Sequence, residues 1–174
     1  GDRIRAEFRR HLIVRLGPLF ALEGSHAWLN DIIGDLVLGK AVRAAEDVIF
    51  CPTSADAVAM ALIGMLQQQV SGAEAWGAYH LAGTEPVSAF TFTSMVRTQL
   101  LTHLEGRGEQ ITLGEVQPLK HHHDAKLRRV LNCRRVLDVF GVHQKPWRLE
   151  AGRMLDAWCV TRESNRLSDT GVSA

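Results

Sequence analysis

Residues 47–69 read DVIFCPTSADAVAMALIGMLQQQ, a strand, a break and a helix in one piece. Asp47–Phe50 holds a short apolar run suited to a strand, and Pro52 closes it because proline supplies no ladder donor. Thr53 or Ser54 then offers a hydroxyl to cap a helix. Thr53 with Asp56 has the spacing of a capping box, with a shorter carboxylate in the usual Glu position. Ala55, Val58, Ala59, Leu62, Ile63 and Leu66 recur at helical spacing and predict a helix to about Gln69.

The same alternation continues on both sides. Upstream, the charged segment Asp2–Arg10 is helix-compatible, and His11–Leu16 (HLIVRL) carries a continuous apolar run suited to a buried strand. Gly17 and Pro18 break it, and Ala27–Val37 repeats apolar residues at helical spacing. Downstream, Trp76–Gly83 predicts a strand, Ser88 starts another helix, and Ile111–Val116 predicts a further strand. Two helices follow, Asn132–Phe140 and about Trp147–Val160. Strands alternating with helices point to an α/β fold with parallel pairing. Residues 1–160 read as one domain, and the polar residues 161–174 as a flexible tail.

Composition narrows the function classes. The chain has 174 residues, 46% hydrophobic, and 20 Lys and Arg against 19 Asp and Glu, a net charge of +1. That balance gives no general attraction to nucleic acid or anionic membrane, and no apolar run is long enough to span a bilayer. Cys51, Cys133 and Cys159 are too few and odd in number for a disulfide framework, which favours a reducing, cytoplasmic setting. Gly1 stands where a whole chain would start with Met, so a cut or an added residue is expected there.

Cofactor and catalytic motifs are weak. Gly106-Arg107-Gly108 lacks the third glycine of a dinucleotide turn and precedes a predicted strand, not a helix. The tyrosine–lysine couple of short-chain dehydrogenases needs a Lys four residues after Tyr; the single tyrosine is Tyr79, and position 83 is Gly83. His121, His122 and His123, followed by Asp124, offer donors for a divalent metal, with Cys133 or His103 as outside ligands. Consecutive residues converge poorly on one ion, so a solvated loop is the plainer reading. Lys126–Arg135 holds five basic residues and suits either a phosphate contact or a solvated helix start. Those arginines also surround Cys133, a setting that lowers a thiol pKa, although core packing explains this cysteine better. Trp28, Trp147 and Trp158 read as packing residues.

Four segments together, His11–Ala21 (HLIVRLGPLFA), Cys51–Leu62 (CPTSADAVAMAL), WGAYHLAG with the helix after it, and Val130–Val142 (VLNCRRVLDVFGV), resemble the C-terminal part of the dTDP-4-dehydrorhamnose reductase family. These are extended short-chain dehydrogenases, and the resemblance covers about residues 3–160. It implies the C-terminal part of a Rossmann-like fold, a few mostly parallel strands with alternating helices. It also implies the substrate side of an enzyme whose NADP(H) or NAD(H) turn and Tyr–Lys couple lie in an N-terminal half absent from this sequence. The resemblance implies that Arg15, Cys51, Pro52 and Thr53 lie beside the nucleotide-sugar cleft, with Lys126, Arg128 and Arg129 as further candidates for phosphate or sugar contacts.

The departures bear on specificity. Leu16-Gly17-Pro18 stands where the family has Thr-Ser-Trp, Ala27-Trp28 replaces Asn-Phe, Val48 and Phe50 replace Gln and Gly, and Ala125-Lys126 replaces Arg-Pro. The resemblance therefore implies a nucleotide sugar as ligand, without catalysis by this chain alone. A non-catalytic scaffolding subunit on the same fold and a metal-binding module at His121–His123 are the rival readings. Strand edges left open by an absent half predict self-association, such as a homodimer.

Overall fold

The computed structural model describes residues 2–24, 28–120 and 127–170. Its first elements are α1 (Asp2–Glu7), β1 (Leu12–Leu16), β2 (Leu19–Phe20), α2 (Trp28–Val37), β3 (Val42–Ala45), β4 (Val48–Phe50), β5 (Thr53–Ser54) and α3 (Ala55–Val70). They are followed by β6 (Gly77–Leu81), β7 (Val87–Ser88), α4 (Ala89–Gly106), β8 (Val116–Leu119), β9 (Leu127–Arg129), α5 (Arg134–Phe140) and α6 (Trp147–Thr170). The pairings are mostly parallel, as expected: β1 with β6, β2 with β5, β3 with β8 and β4 with β9, while β4 meets β7 antiparallel.

Two cores divide the domain. The larger gathers α2, α4 and α6 around Phe92, whose ring centroid lies 5.0 Å from that of Trp147, 5.5 Å from Trp28 and 5.6 Å from Phe20. Contacts of this tilted kind add to the burial of large apolar rings. The smaller core packs Val58 and Met65 of α3 and Val136 and Phe140 of α5 against Tyr79 and Leu81 of β6, with Leu12 and Val14 of β1 beside them. The junction between the two cores lies at the ends of β1, β4 and β6.

Several elements differ from the sequence expectations. Ile111–Glu115 is not a strand; β8 begins only at Val116. Gly114 instead runs against the end of α2: its N–H donates to Leu36 O at 2.8 Å, and Arg97 Nε donates to its carbonyl at 2.6 Å. A backbone bound to a helix end and a guanidinium is not free to join a ladder. The basic stretch Lys126–Arg135 is divided: Leu127–Arg129 pairs with Val48–Phe50 as β9, while Arg134 and Arg135 open α5. Helix α6 continues past Val160 because tertiary ion pairs hold its next turn. Arg162 Nη1 lies 3.1 Å from Glu109 Oε2 and Arg107 Nε 3.2 Å from Glu163 Oε1.

Candidate functional site

Three loops leave the C-terminal ends of strands and converge on Thr53. Its N–H donates to Pro18 O at 3.0 Å, its Oγ1 donates to Cys51 O at 2.9 Å, and the same Oγ1 accepts from Gly83 N at 3.0 Å. The loops after β1, β4 and β6 are thereby tied through one buried side chain. The approach is so close that no side chain fits at two of its positions. A Cβ on Gly17 would lie 2.7 Å from Thr53 Oγ1 and 2.9 Å from Cys51 O, and a Cβ on Gly83 would lie 2.1 Å from Pro52 O.

This geometry decides between the two expected capping residues. Ser54, not Thr53, caps α3, its Oγ accepting from Ala57 N at 3.3 Å. Thr53 is occupied by the junction, so its hydroxyl positions the loops around it.

Beside the junction lies a cleft of about 270 Å³, lined by Thr53, Ala57, Gly83, Lys145, Trp147 and Glu150 among others. A wider groove of about 710 Å³ shares Ala57, Met60, Lys145 and Glu150 with it and reaches Arg153. Both sit outside the carboxyl ends of strands, where ligands of α/β proteins bind. Glu150 is 8% exposed, and its Oε1 accepts from Arg153 Nη1 at 3.0 Å. The buried Trp147 Nε1 has no hydrogen-bond partner among the described residues. Sequence reasoning treated Trp147 as core packing, which it is, and passed over Lys145 and Glu150. No local motif singles them out; only the fold brings the start of α6 against the start of α3.

The predicted site residues fall into two groups. Cys51, Pro52 and Thr53 are buried in the junction. Arg15, Arg128 and Arg129 are exposed. Arg15 stands opposite His80 in the β1–β6 register, and His80 Nδ1 lies 3.3 Å from Asn132 O, three residues beyond Arg129. Arg128 and Arg129 pair with Ile49 and Phe50, immediately before Cys51. These cations surround the junction from the strand side, and none of the three lines the cleft. Lys126 and His121–His123 lie outside the described residues.

Burial raises the pKa of all three cysteines. For Cys51 desolvation is the largest effect, reinforced by Cys133 and opposed by the Arg128 charge. For Cys133 desolvation again dominates, against a backbone hydrogen bond from Ala82. The basic neighbours of Cys133 therefore do not make it a thiolate; it stays protonated in the smaller core. Cys133 and His103, the two alternative outside ligands for His121–His123, lie beside different cores. His103 belongs to α4 and lies 2.9 Å from Asp156 of α6, beside the other core. Among the described residues no group of three or more His, Cys, Asp and Glu side chains is placed to hold a metal ion.

Among the described residues, neither sequence candidate for nicotinamide chemistry is placed to serve it. Gly106–Gly108 ends α4 instead of opening a helix, and Tyr79 is 2% exposed, its hydroxyl donating to Ala75 O at 2.9 Å. Among the described residues no helix is long and apolar enough to cross a membrane.

Comparison with known families adds what the geometry alone does not name. The family described as RmlD substrate binding domain matches residues 2–159. The chain belongs to that family. No curated protein matches it. Its fold is similar to that of a dTDP-4-dehydrorhamnose reductase from Bacillus anthracis in complex with NADP, with a TM-score of 0.65 and 18% identity over 88% of this chain and 50% of that one. A dTDP-4-dehydrorhamnose reductase ortholog from Clostridium acetobutylicum gives a TM-score of 0.69 at 15% identity, covering 90% of this chain and 52% of that one. A UDP-glucose 4-epimerase from Thermotoga maritima with UDP-glucose gives 0.61 at 10% identity, covering 92% of this chain and 50% of that one. This RmlD-type domain thus spans about half the length of the structures it matches.

Proposed function

We propose that this domain is the substrate-binding part of a sugar-nucleotide reductase-like protein, and that the whole protein reduces a 4-keto sugar nucleotide with NADPH. The observation that carries the reading is the match to the RmlD substrate-binding family over residues 2–159. Alone the domain does not transfer hydride, because it holds neither a dinucleotide turn nor an available tyrosine with its lysine. Its part is to hold the nucleotide sugar at the Thr53 junction. Arg15, Arg128 and Arg129 are the diphosphate contacts in this reading, since guanidinium groups bind phosphate oxygens in pairs and keep their charge. Buried Cys51, Pro52 and Thr53 shape the floor behind them. The three buried free thiols suit a cytoplasmic protein.

Calorimetric titration with dTDP-glucose and UDP-glucose tests the reading, on this domain joined to the residues encoded upstream. Binding is expected, and replacing both Arg128 and Arg129 by Ala weakens it about 10- to 100-fold, the range of charged hydrogen bonds. A joined protein that binds no nucleotide sugar and oxidises no NADPH with keto sugars ends the proposal.

A further inference from the structure

The segment between α5 and α6 is strapped to the end of β6. Gln144 Nε2 donates to Ala82 O and Gly83 O, each at 3.0 Å, and Thr84 N donates to Lys145 O at 3.0 Å. Thr84 and Pro146 also form a parallel bridge. These bonds fix the backbone that carries Lys145, Trp147 and Glu150 along the cleft of about 270 Å³ at the start of α3. A cleft held in this way needs little ordering when a ligand enters.

The walls of the cleft carry both charges. Val58 and Ala61 of α3, Leu81 of β6 and Val142 supply the apolar part of the lining. Lys145 is exposed, and its ammonium has no hydrogen bond or ion pair among the described residues. Glu150 is 8% exposed, where carboxylates are rarely found. Its Oε1 is engaged by Arg153 Nη1 at 3.0 Å, whereas its Oε2 has no hydrogen-bond partner among the described residues. The indole N–H of Trp147 is buried and unpartnered there too, a donor that a bound oxygen satisfies.

A purely anionic ligand would meet the Glu150 carboxylate, and a purely cationic one the Lys145 ammonium. A small apolar molecule carrying both charges gives each wall its complement. The volume lies just under the roughly 300–1,000 Å³ of pockets for drug-sized ligands, too small for a whole nucleotide sugar. Arg15, Arg128 and Arg129, the diphosphate contacts of the functional reading, do not line it. We propose that this cleft binds a free α-amino acid with an apolar side chain. The carboxylate pairs with Lys145 and faces the Trp147 N–H, the ammonium pairs with Glu150, and the side chain packs against Val58, Ala61 and Val142. The wider groove, which also reaches Lys145 and Glu150, is the way in. This second site does not depend on the nucleotide-sugar reading.

Calorimetric titration with L-leucine, L-methionine and L-phenylalanine tests it, on this domain joined to the residues encoded upstream. Saturable one-to-one binding of at least one is expected. The corresponding amino-acid amide, without the carboxylate, and the N-acetyl amino acid, without the ammonium, bind at least about 10-fold more weakly. Lys145→Gln weakens the amino acid about 10- to 100-fold and removes the preference for it over its amide. Lys145 is exposed, so this variant keeps the fold, and a merely structural role does not move that preference. Glu150→Gln removes the preference over the N-acetyl form. The proposal is overturned if none of the three amino acids binds, or if Lys145→Gln leaves affinity and preference unchanged. It is equally overturned if the amide or the N-acetyl form binds as well as the amino acid, which makes the occupant a peptide end. Displacement by dTDP-glucose overturns it as well, because the cleft then belongs to the nucleotide sugar. Amino-acid binding in a protein that binds no nucleotide sugar supports this site and removes only the functional reading.

Discussion

Replacing Thr53 by Val removes one hydroxyl and leaves its shape nearly unchanged, so it isolates the polar tie at the junction. Two partners lose their bond: Gly83 N–H, which donates to Thr53 Oγ1 at 3.0 Å, and Cys51 O, which accepts from it at 2.9 Å. Thr53 is 3% exposed, so water does not readily replace either bond. An unsatisfied buried polar group costs about 1–3 kcal/mol, and two of them sum to about 3 kcal/mol once partial relaxation is allowed. For a chain of this size that is about 6–12 °C in Tm. Thr53→Ser keeps the hydroxyl and loses a methyl group, at a cost of about 1 kcal/mol. Urea denaturation and calorimetry of the three proteins measure the difference directly. If the Val variant lies within about 0.5 kcal/mol of the parent, or the Ser variant is equally damaged, the hydroxyl does not bind the loops together and the junction argument fails.

Gly83→Ala is expected to cost more than about 3 kcal/mol, because its new Cβ would meet the Pro52 carbonyl at 2.1 Å and the obstacle is backbone; a soluble variant with parental Tm contradicts the close approach. Stability is expected to decline as pH rises above the ordinary thiol value of 9.0, since the three cysteines have raised values in the folded state. In that window the unfolded chain releases thiol protons that the native chain retains, so rising pH favours unfolding. Urea midpoints between pH 7.5 and about 10 test this; a triple Cys→Ala variant shows a shallower decline, and parallel slopes for the two proteins refute it. Breaking the pair between Arg162 and Glu109 with Arg162→Ala is expected to loosen the end of α6, seen as faster amide exchange beyond Val160, and unchanged exchange there removes that ion pair as the reason the helix continues.

Local pattern carried much of this fold. The apolar run at Leu12–Leu16, the break at Pro52 and the periodic residues of α3 are readable because a strand and a helix bury one face at a fixed spacing. The family resemblance was readable too, in the Cys-Pro-Thr and Tyr-His-Leu-Ala-Gly segments, and the match over residues 2–159 agrees with it. The short strands β3, β5 and β9 were not legible. Val42–Ala45 holds two alanines, and Leu127–Arg129 two arginines, neither marking a strand by composition. Each exists because a partner strand supplies the hydrogen bonds.

The amino-acid order by itself determined the α/β class, the helices and the missing cofactor motifs, since these depend on residue type and on spacing along the chain. Only the tertiary structure decided that Thr53 ties loops where Ser54 caps, that Cys133 keeps its proton, and that Lys145 and Glu150 face a shared cleft. Hydrogen bonding and desolvation act through space, and the residues that meet at Thr53, from Pro18 to Gly83, are brought together only by folding.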